Sequence, residues 1–362
     1  QIDEKREQYR SVATRGSIMY FAIVEMSNVN VMYQTSLQQF LGLFAESMRL
    51  AVKAKLASKR SQNIIYSLTY IVYRYINKGL YEKDKLLFVL VFTLKIMVVA
   101  GYVAASDVAQ LLRGGAALDL NSVRPNPFKR WLGDEAYLNC LALSQSTPVF
   151  KSLIEKITKS ESMWIQWYNE NEPESVPIPD YESEILQNPN VGPFLRLIML
   201  RSLRVDRLFL GVKQMIRNLP FVGSRYTEPV TDTVEDVYTT MTPDIPTIYL
   251  LSIGADPTDA IENMCRKNKN TIDSISMGEG QEPVAEAAIR LAADQGSWVL
   301  LQNCELGLPL MDVLEDLLIE EIFPEADPNF CLFITAAMHP KFPLGLLQMC
   351  TKVTNEPPAG MR

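Results

Sequence analysis

The residues best placed to do chemistry lie in short turns that follow apolar runs. Gly254-Ala255-Asp256-Pro257-Thr258-Asp259 follows Thr247 to Ser252 and opens a helical pattern. That is where an α/β fold cradles phosphate with backbone N–H groups. A working phosphate loop reads G-x-x-x-x-G-K-[ST]. Gly254 is present, but Asp259 and Ala260 stand where the second glycine and the lysine belong. Asp256 and Asp259 repel a phosphate, and Asp256 or Thr258 instead suits a helix N-cap with Pro257 in the first turn. The partner feature of such a site is a carboxylate ending a second strand, holding Mg²⁺ and polarising water. After Trp298 to Leu301 the chain carries Gln302-Asn303, and neither is a base or a charged metal ligand. Glu305 lies past that strand tip with no lysine opposite. The expectation is a degenerate site at Gly254, Asp256, Thr258, Asp259, Gln302 and Asn303. It would have no catalytic residue, no metal ligand and no cofactor bound by this segment.

A rival reading starts from Met277-Gly278-Glu279-Gly280-Gln281-Glu282-Pro283, which follows one apolar run and opens another helix. Pro283 occupies the third glycine of a dinucleotide fingerprint, leaving a bare G-x-G. A nucleotide- or dinucleotide-binding enzyme using the turns after Leu251 or Met277 is therefore the alternative. Other chemistry is thinner. His339 is the single histidine, which excludes any two-histidine zinc site and makes it a loop residue. The five cysteines, Cys140, Cys265, Cys304, Cys331 and Cys350, have no knuckle spacing and read as buried apolar side chains in a reducing, cytoplasmic compartment.

The elements that must hold these turns come in two rhythms. Thr247 to Ser252, Ile272 to Met277, Trp298 to Gln302 and Cys331 to Thr335 are short apolar runs. They alternate with helical patterns at Thr258 to Lys267, Glu282 to Gln295 and Leu308 to Glu321, the signature of a parallel sheet covered on both faces. The region before Gln166 is helical apart from a β-like stretch at Ser17 to Val24. From Ser36, Leu37, Phe40, Leu41, Phe44, Met48 and Ala51 form one stripe, and Ile64, Ile65, Leu68, Ile71, Val72 and Tyr75 form a second. The two predict an antiparallel helical hairpin over 36–77. Its tip is basic through Arg49, Lys53, Lys55, Lys59 and Arg60, either a solvated helix end or a contact for an anionic partner. Breaks are expected at Gly114-Gly115 and at Pro125-Asn126-Pro127, and Trp131, Trp164 and Trp167 read as packing anchors.

Residues 166–193 hold five prolines and six acids without a lysine or arginine, and read as a linker or surface loop at a domain boundary. A basic helix from Phe194 to Asn218, with Arg196, Arg204, Arg207 and Lys213, follows it. The predicted division is 1–165, the 166–193 loop and 194–362, with a fold of α plus α/β class. Across all 362 residues, 48% hydrophobic content excludes a disordered chain. A net charge of −7 excludes a chain-wide field for nucleic acid. Leu86 to Ala105 has the length of a membrane span, but Lys95 at its centre and Gly101 near its end make it a buried core helix. The charged opening from Gln1 is helix-like rather than a signal peptide, and the two ends predict a slice of a larger chain.

Several runs also resemble one family. Arg15-Gly16-Ser17 with Tyr20-Phe21, then Met32 to Leu37, resembles the RGS…YF…MYQYSL run of dynein heavy chains. Gly79-Leu80-Tyr81 to Lys95-Ile96 is similar to their GLFE…KLLF…KI helix pair, and Leu203 to Arg207 to their L-R-P-D-R helix. Trp298 to Cys304, Phe342-Pro343 with Leu347-Gln348, and Thr354 to Pro358 agree in order and spacing. Together these runs span nearly the whole chain. Val205 departs from the usual proline and Glu305 from the histidine of axonemal members, which bears on subtype only.

The resemblance implies a non-catalytic stretch of a ring of AAA+ modules in a microtubule motor of the axonemal type. The 1–165 part would be the lid of the fifth module, with 36–77 as the buttress that contacts the stalk. Residues 194–362 would be the large subdomain of the sixth module, a type that generally lacks nucleotide. ATP and Mg²⁺ would belong to other modules. The implied partners are neighbouring modules and the stalk, the microtubule indirectly, and intermediate and light chains of the complex, with no nucleic acid and no membrane. The implied site of action is the cytoskeleton, in a cilium or flagellum. A stand-alone helical scaffold is the remaining possibility.

Overall fold

The computed structural model describes residues 6–114, 118, 123–230 and 233–357. The expectations touching Gln1 to Lys5, Gly115 and Pro358 to Arg362 lie outside the described residues. In chain order the helices are α1 (Arg10–Met26), α2 (Leu37–Leu50), α3 (Ala57–Lys78), α4 (Glu82–Val99), α5 (Ala105–Arg113) and α6 (Asp134–Ser146). Then come α7 (Leu153–Lys159), α8 (Glu161–Tyr168), α9 (Glu182–Gln187), α10 (Gly192–Leu203), α11 (Leu208–Asn218) and α12 (Val234–Tyr238). After these, strands and helices alternate: β1 (Thr247–Leu251), α13 (Thr258–Lys267), β2 (Ile272–Ser276), α14 (Glu282–Gln295), β3 (Trp298–Gln302), α15 (Leu308–Leu317), β4 (Cys331–Ala337), α16 (Leu344–Met349) and β5 (Thr351–Asn355). The chain forms two compact units. One comprises residues up to Phe88 together with those from Val230 onward, and the other is Val89–Pro229.

In the first unit the sheet is parallel throughout, in the order β2-β3-β4-β1-β5. Ile248, Leu250, Val299, Leu301 and Ile334 are solvent-free, as strands covered on both faces require. Opposite them Tyr249, Trp298, Leu300 and Phe333 pack with Ile261 and Met264 of α13. This α plus α/β architecture is the AAA+ type that the sequence predicts. β5 is the strand the sequence hides, because its T-K-V-T-N run at a sheet edge holds a single apolar residue, Val353.

The α2–α3 hairpin belongs to the same unit. Ser36 Oγ accepts the Gln39 N–H at 3.1 Å and starts α2. The Ser17 to Val24 stretch is helical within α1, contrary to its β-like reading. Val12, Gly16, Met19, Ile23 and Met26 fall on one buried stripe at spacings of three and four, and that period overrides the local β-branched content. Gly16 permits the close packing, since a Cβ there would lie 2.7 Å from the Phe44 ring. The buried face of α2 is also rotated from expectation. Phe40 and Ser47 are buried, whereas Leu37, Leu41 and Met48 are exposed by 52%, 55% and 38%.

Polar bonds fasten the hairpin base to the strand tips. Tyr81 OH donates to Leu251 O at 3.0 Å, and Thr354 Oγ1 donates to Leu80 O at 2.9 Å. Gln39 Nε2 donates to Met349 O at 2.9 Å. The buried Lys352 ammonium donates to Leu347 O at 2.6 Å and to Cys350 O at 2.9 Å. Burial pushes its pKa down to about 8. At Gly79 a Cβ would approach the Lys352 Cβ to 2.7 Å, so only glycine lets the two segments touch.

The second unit is helical and contains the acidic stretch. Instead of a linker, 166–193 folds into the core of this unit with Trp167, Ile178, Tyr181 and Ile185 buried. Its acids are met by arginines. Arg207 grips Glu174, which is only 5% exposed. Arg196 donates to Val176 O at 2.6 Å and pairs with Glu182, and Arg204 pairs with Asp206 while donating to Glu170 O at 2.9 Å. Burial acts to raise the Glu174 carboxyl, but the Arg207 hydrogen bonds prevail and hold it below the usual range. The basic helix expected from Phe194 to Asn218 is two helices, α10 and α11, separated at Arg204 to Arg207 where these side chains turn to the acids. The Leu86 to Ala105 run ends its helix at Val99, and no described helix is long and apolar enough to cross a membrane.

Candidate functional site

The loops after β1, β3 and β4 share the carboxyl edge of the sheet, where α/β folds bind ligands. The turn after β1 is tight. Gly254 has φ +79°, and Ser252 O accepts the Ala255 N–H at 3.0 Å. Asp256 Oδ1 accepts the Thr258 N–H at 2.9 Å and the Thr258 hydroxyl at 2.6 Å, capping α13 from outside. Those bonds hold the Asp256 carboxyl below its ordinary range. Asp259 is exposed on the first turn of α13. Seven residues past Gly254, where a phosphate loop places its metal-binding hydroxyl, stands Ile261, which is fully buried.

Gln302 and Asn303 end β3 as expected and turn toward protein groups. Gln302 Nε2 donates to Thr258 Oγ1 at 2.7 Å, joining the second strand to the turn after the first. Asn303 has φ +54°, a backbone region that favours glycine and tolerates asparagine, and its N–H donates to Thr335 Oγ1 at 3.0 Å. Glu305, on the short turn beyond, accepts the Ala337 N–H through Oε2 at 3.0 Å and so closes the tip of β4. Asp256, Thr258 and Gln302 are thus joined by hydrogen bonds, whereas Asn303 bonds Thr335 instead and Gly254 only shapes the turn. Sequence reasoning missed the Gln302 to Thr258 bond, whose partners are 44 residues apart. The second turn is separate: Gly280 has φ +80° and Pro283 lies in the first turn of α14. His339 Nδ1 accepts the Lys341 N–H at 3.2 Å within its own loop. All five cysteines are buried thiols, and among the described residues no cluster could hold a metal ion.

At the hairpin tip the five basic residues have different employment. Arg60 donates to Met48 O at 2.7 Å and to Ala51 O at 2.6 Å, closing the carboxyl end of α2. Arg49 lies 3.9 Å from Glu46. Lys53, Lys55 and Lys59 are exposed, and no carboxylate among the described residues pairs with them. Val52 and Leu56 beside them are 73% and 69% exposed.

A parallel sheet in this order, with a strand-to-helix turn at the first strand, defines the P-loop class of α/β domain, here with the lysine and the acidic strand end replaced. Residues 242–354 match the dynein heavy chain region D6 P-loop domain. The whole chain is 42% identical to mouse dynein axonemal heavy chain 5 and to human dynein axonemal heavy chain 8. It is 40% identical to the Chlamydomonas reinhardtii dynein gamma chain of the flagellar outer arm. It spans about 8% of the length of each of these relatives. The chain belongs to the dynein heavy chain family, as a segment of the axonemal type.

Proposed function

We propose that this segment is a non-hydrolysing coupling element of a microtubule motor at work in the axoneme of a cilium or flagellum. The fifth-module lid with its buttress would be the hairpin region, and the sixth-module large subdomain would be the sheet. The observation that carries the reading is the union of hairpin and sheet in one compact unit, stapled by Tyr81 to Leu251 and Thr354 to Leu80. A displacement of the sheet, driven by ATP and Mg²⁺ held in other modules, would move the hairpin as a rigid body. The outward Leu37, Leu41 and Met48 stripe and the unpaired Lys53, Lys55 and Lys59 would then bear on an acidic, partly apolar stalk helix. Neighbouring modules and the stalk are the direct partners, the microtubule an indirect one, and intermediate and light chains attach elsewhere on the complex.

The turn at Gly254 to Asp259 binds no nucleotide in this reading, since it carries two acids, Asp256 and Asp259, and no lysine. Charge reversal of Lys53, Lys55 and Lys59 to Glu in the full motor tests the coupling. Microtubule affinity should lose its dependence on nucleotide state, whereas unchanged stepping and microtubule-stimulated ATPase would refute the role of the tip. Calorimetry of the segment with ATP and Mg²⁺ should register no micromolar binding.

A further inference from the structure

Three neighbouring strands end by presenting an aliphatic side chain to solvent at the edge where an active module keeps its nucleotide. Ile253, two residues past β1, is 100% exposed, Leu306 after β3 is 67% exposed and Met338 after β4 is 59% exposed. The register gathers them. Leu251 lies opposite Ala337 across β1 and β4. The Glu305 carboxylate on the Ala337 N–H fixes the turn bearing Leu306 beside the residue that precedes Met338. With strands about 4.8 Å apart, the three strand ends from which these residues emerge span about 10 Å, close to the width of one helix. Exposed aliphatics scattered singly carry no meaning, whereas these three leave adjacent strand ends.

Exposed acids outnumber bases around these residues, with Lys341, three residues past Met338, as the opposing charge. Asp256 and Asp259 follow Ile253, and Glu279 stands on the turn after β2. That turn is held against β3 by the Met277 N–H to Gln302 O bond at 2.8 Å. All three acids are exposed. An apolar centre with an acidic border repels phosphate and attracts its opposite: apolar residues at helical spacing flanked by lysine or arginine.

We infer that the mouth of the degenerate nucleotide site is a docking face for a basic amphipathic helix. The inference rests on the reading that the module holds no nucleotide. The test is a benzoylphenylalanine photocrosslinker at position 253 of the full-length heavy chain, a position where nothing is packed. Crosslinking should reach one helical segment with apolar residues three and four apart and Lys or Arg on both sides. Its yield should fall by about fivefold or more with Asp259→Lys and Glu279→Lys together, and similarly at about 0.5 M salt. Crosslinking to an acidic or uncharged segment, scattered crosslinks, none at all, or a yield indifferent to charge would overturn the docking face. Parallel photolabelling with azido-ATP separates the two ideas. Label in the Gly254 to Asp259 turn would sink the nucleotide-free reading and the inference together. No label and no crosslink would sink the inference alone.

Discussion

The two compact units solve the same problem, ordering long stretches without regular structure, by opposite means. In the first, loops are pinned by uncharged side chains that reach backbone carbonyls, as with Gln39, Tyr81 and Thr354, on a dry sheet core. In the second, Glu174 and Glu182 of an irregular segment are held by Arg207 and Arg196, and its Tyr168 and Glu170 carbonyls by Arg204. The sheet unit is set chiefly by burial and shape, its ion pairs such as Lys267 with Glu235 lying on the exposed surface. The acid–arginine unit depends on charge, and its carboxylates must stay ionised.

That contrast can be broken at several points. Trp298→Ala opens the sheet core beneath Tyr238 and Phe333 and should cost about 4 kcal/mol, read as a lower urea midpoint with near-native behaviour of the second unit. Arg207→Ala leaves Glu174 buried and unpaired and should cost about 3 kcal/mol in the second unit alone. Tyr81→Phe removes one hydroxyl bond to Leu251 O and should cost about 1 kcal/mol; loss of hydrogen-exchange protection should concentrate at the hairpin base.

Acid sharpens the comparison further. The carboxyls of Glu174 and Asp206 are held low in the fold, so their stabilisation is present above the ordinary carboxylate pKa of about 4 and is lost as pH falls through their folded values. The second unit should melt first on acidification. Lys352 acts in the other range. Its folded pKa of about 8 lies below the ordinary 10.5, so between those values the unfolded chain binds the extra proton. Stability of the first unit should therefore rise with pH across that interval, a slope absent in Lys352→Met.

Much of this was legible in the residues. Thr247 to Ser252, Trp298 to Gln302 and Cys331 to Thr335 announce buried strands because both faces of a central parallel strand are apolar. The replaced lysine at Ala260 and the amides at Gln302-Asn303 are equally plain, since those positions are counted from a glycine. What stayed hidden depends on partners far along the chain. β5 lies at an edge and pairs only with β1, about a hundred residues earlier in the chain. The acidic stretch looks like a linker until Arg196, Arg204 and Arg207 are seen to reach it. The face of α2 that is buried was set by its packing against α1 and α3, which takes in Phe40 and Ser47 and leaves Leu37, Leu41 and Met48 of the same stripe exposed.

The stapling of the hairpin to the sheet has a consequence for how the chain is made. Gln39 and the carbonyl it binds at Met349 are 310 residues apart in sequence, and Thr354 and Lys78 are 276 apart. At roughly 5–20 residues per second on the ribosome, the finished hairpin waits about 15 to 60 s for its strands to emerge. Throughout that interval its sheet-facing side is bare, while the second unit, Val89–Pro229, is synthesised whole and free to fold. The nascent hairpin is therefore the part of this segment most in need of chaperone cover.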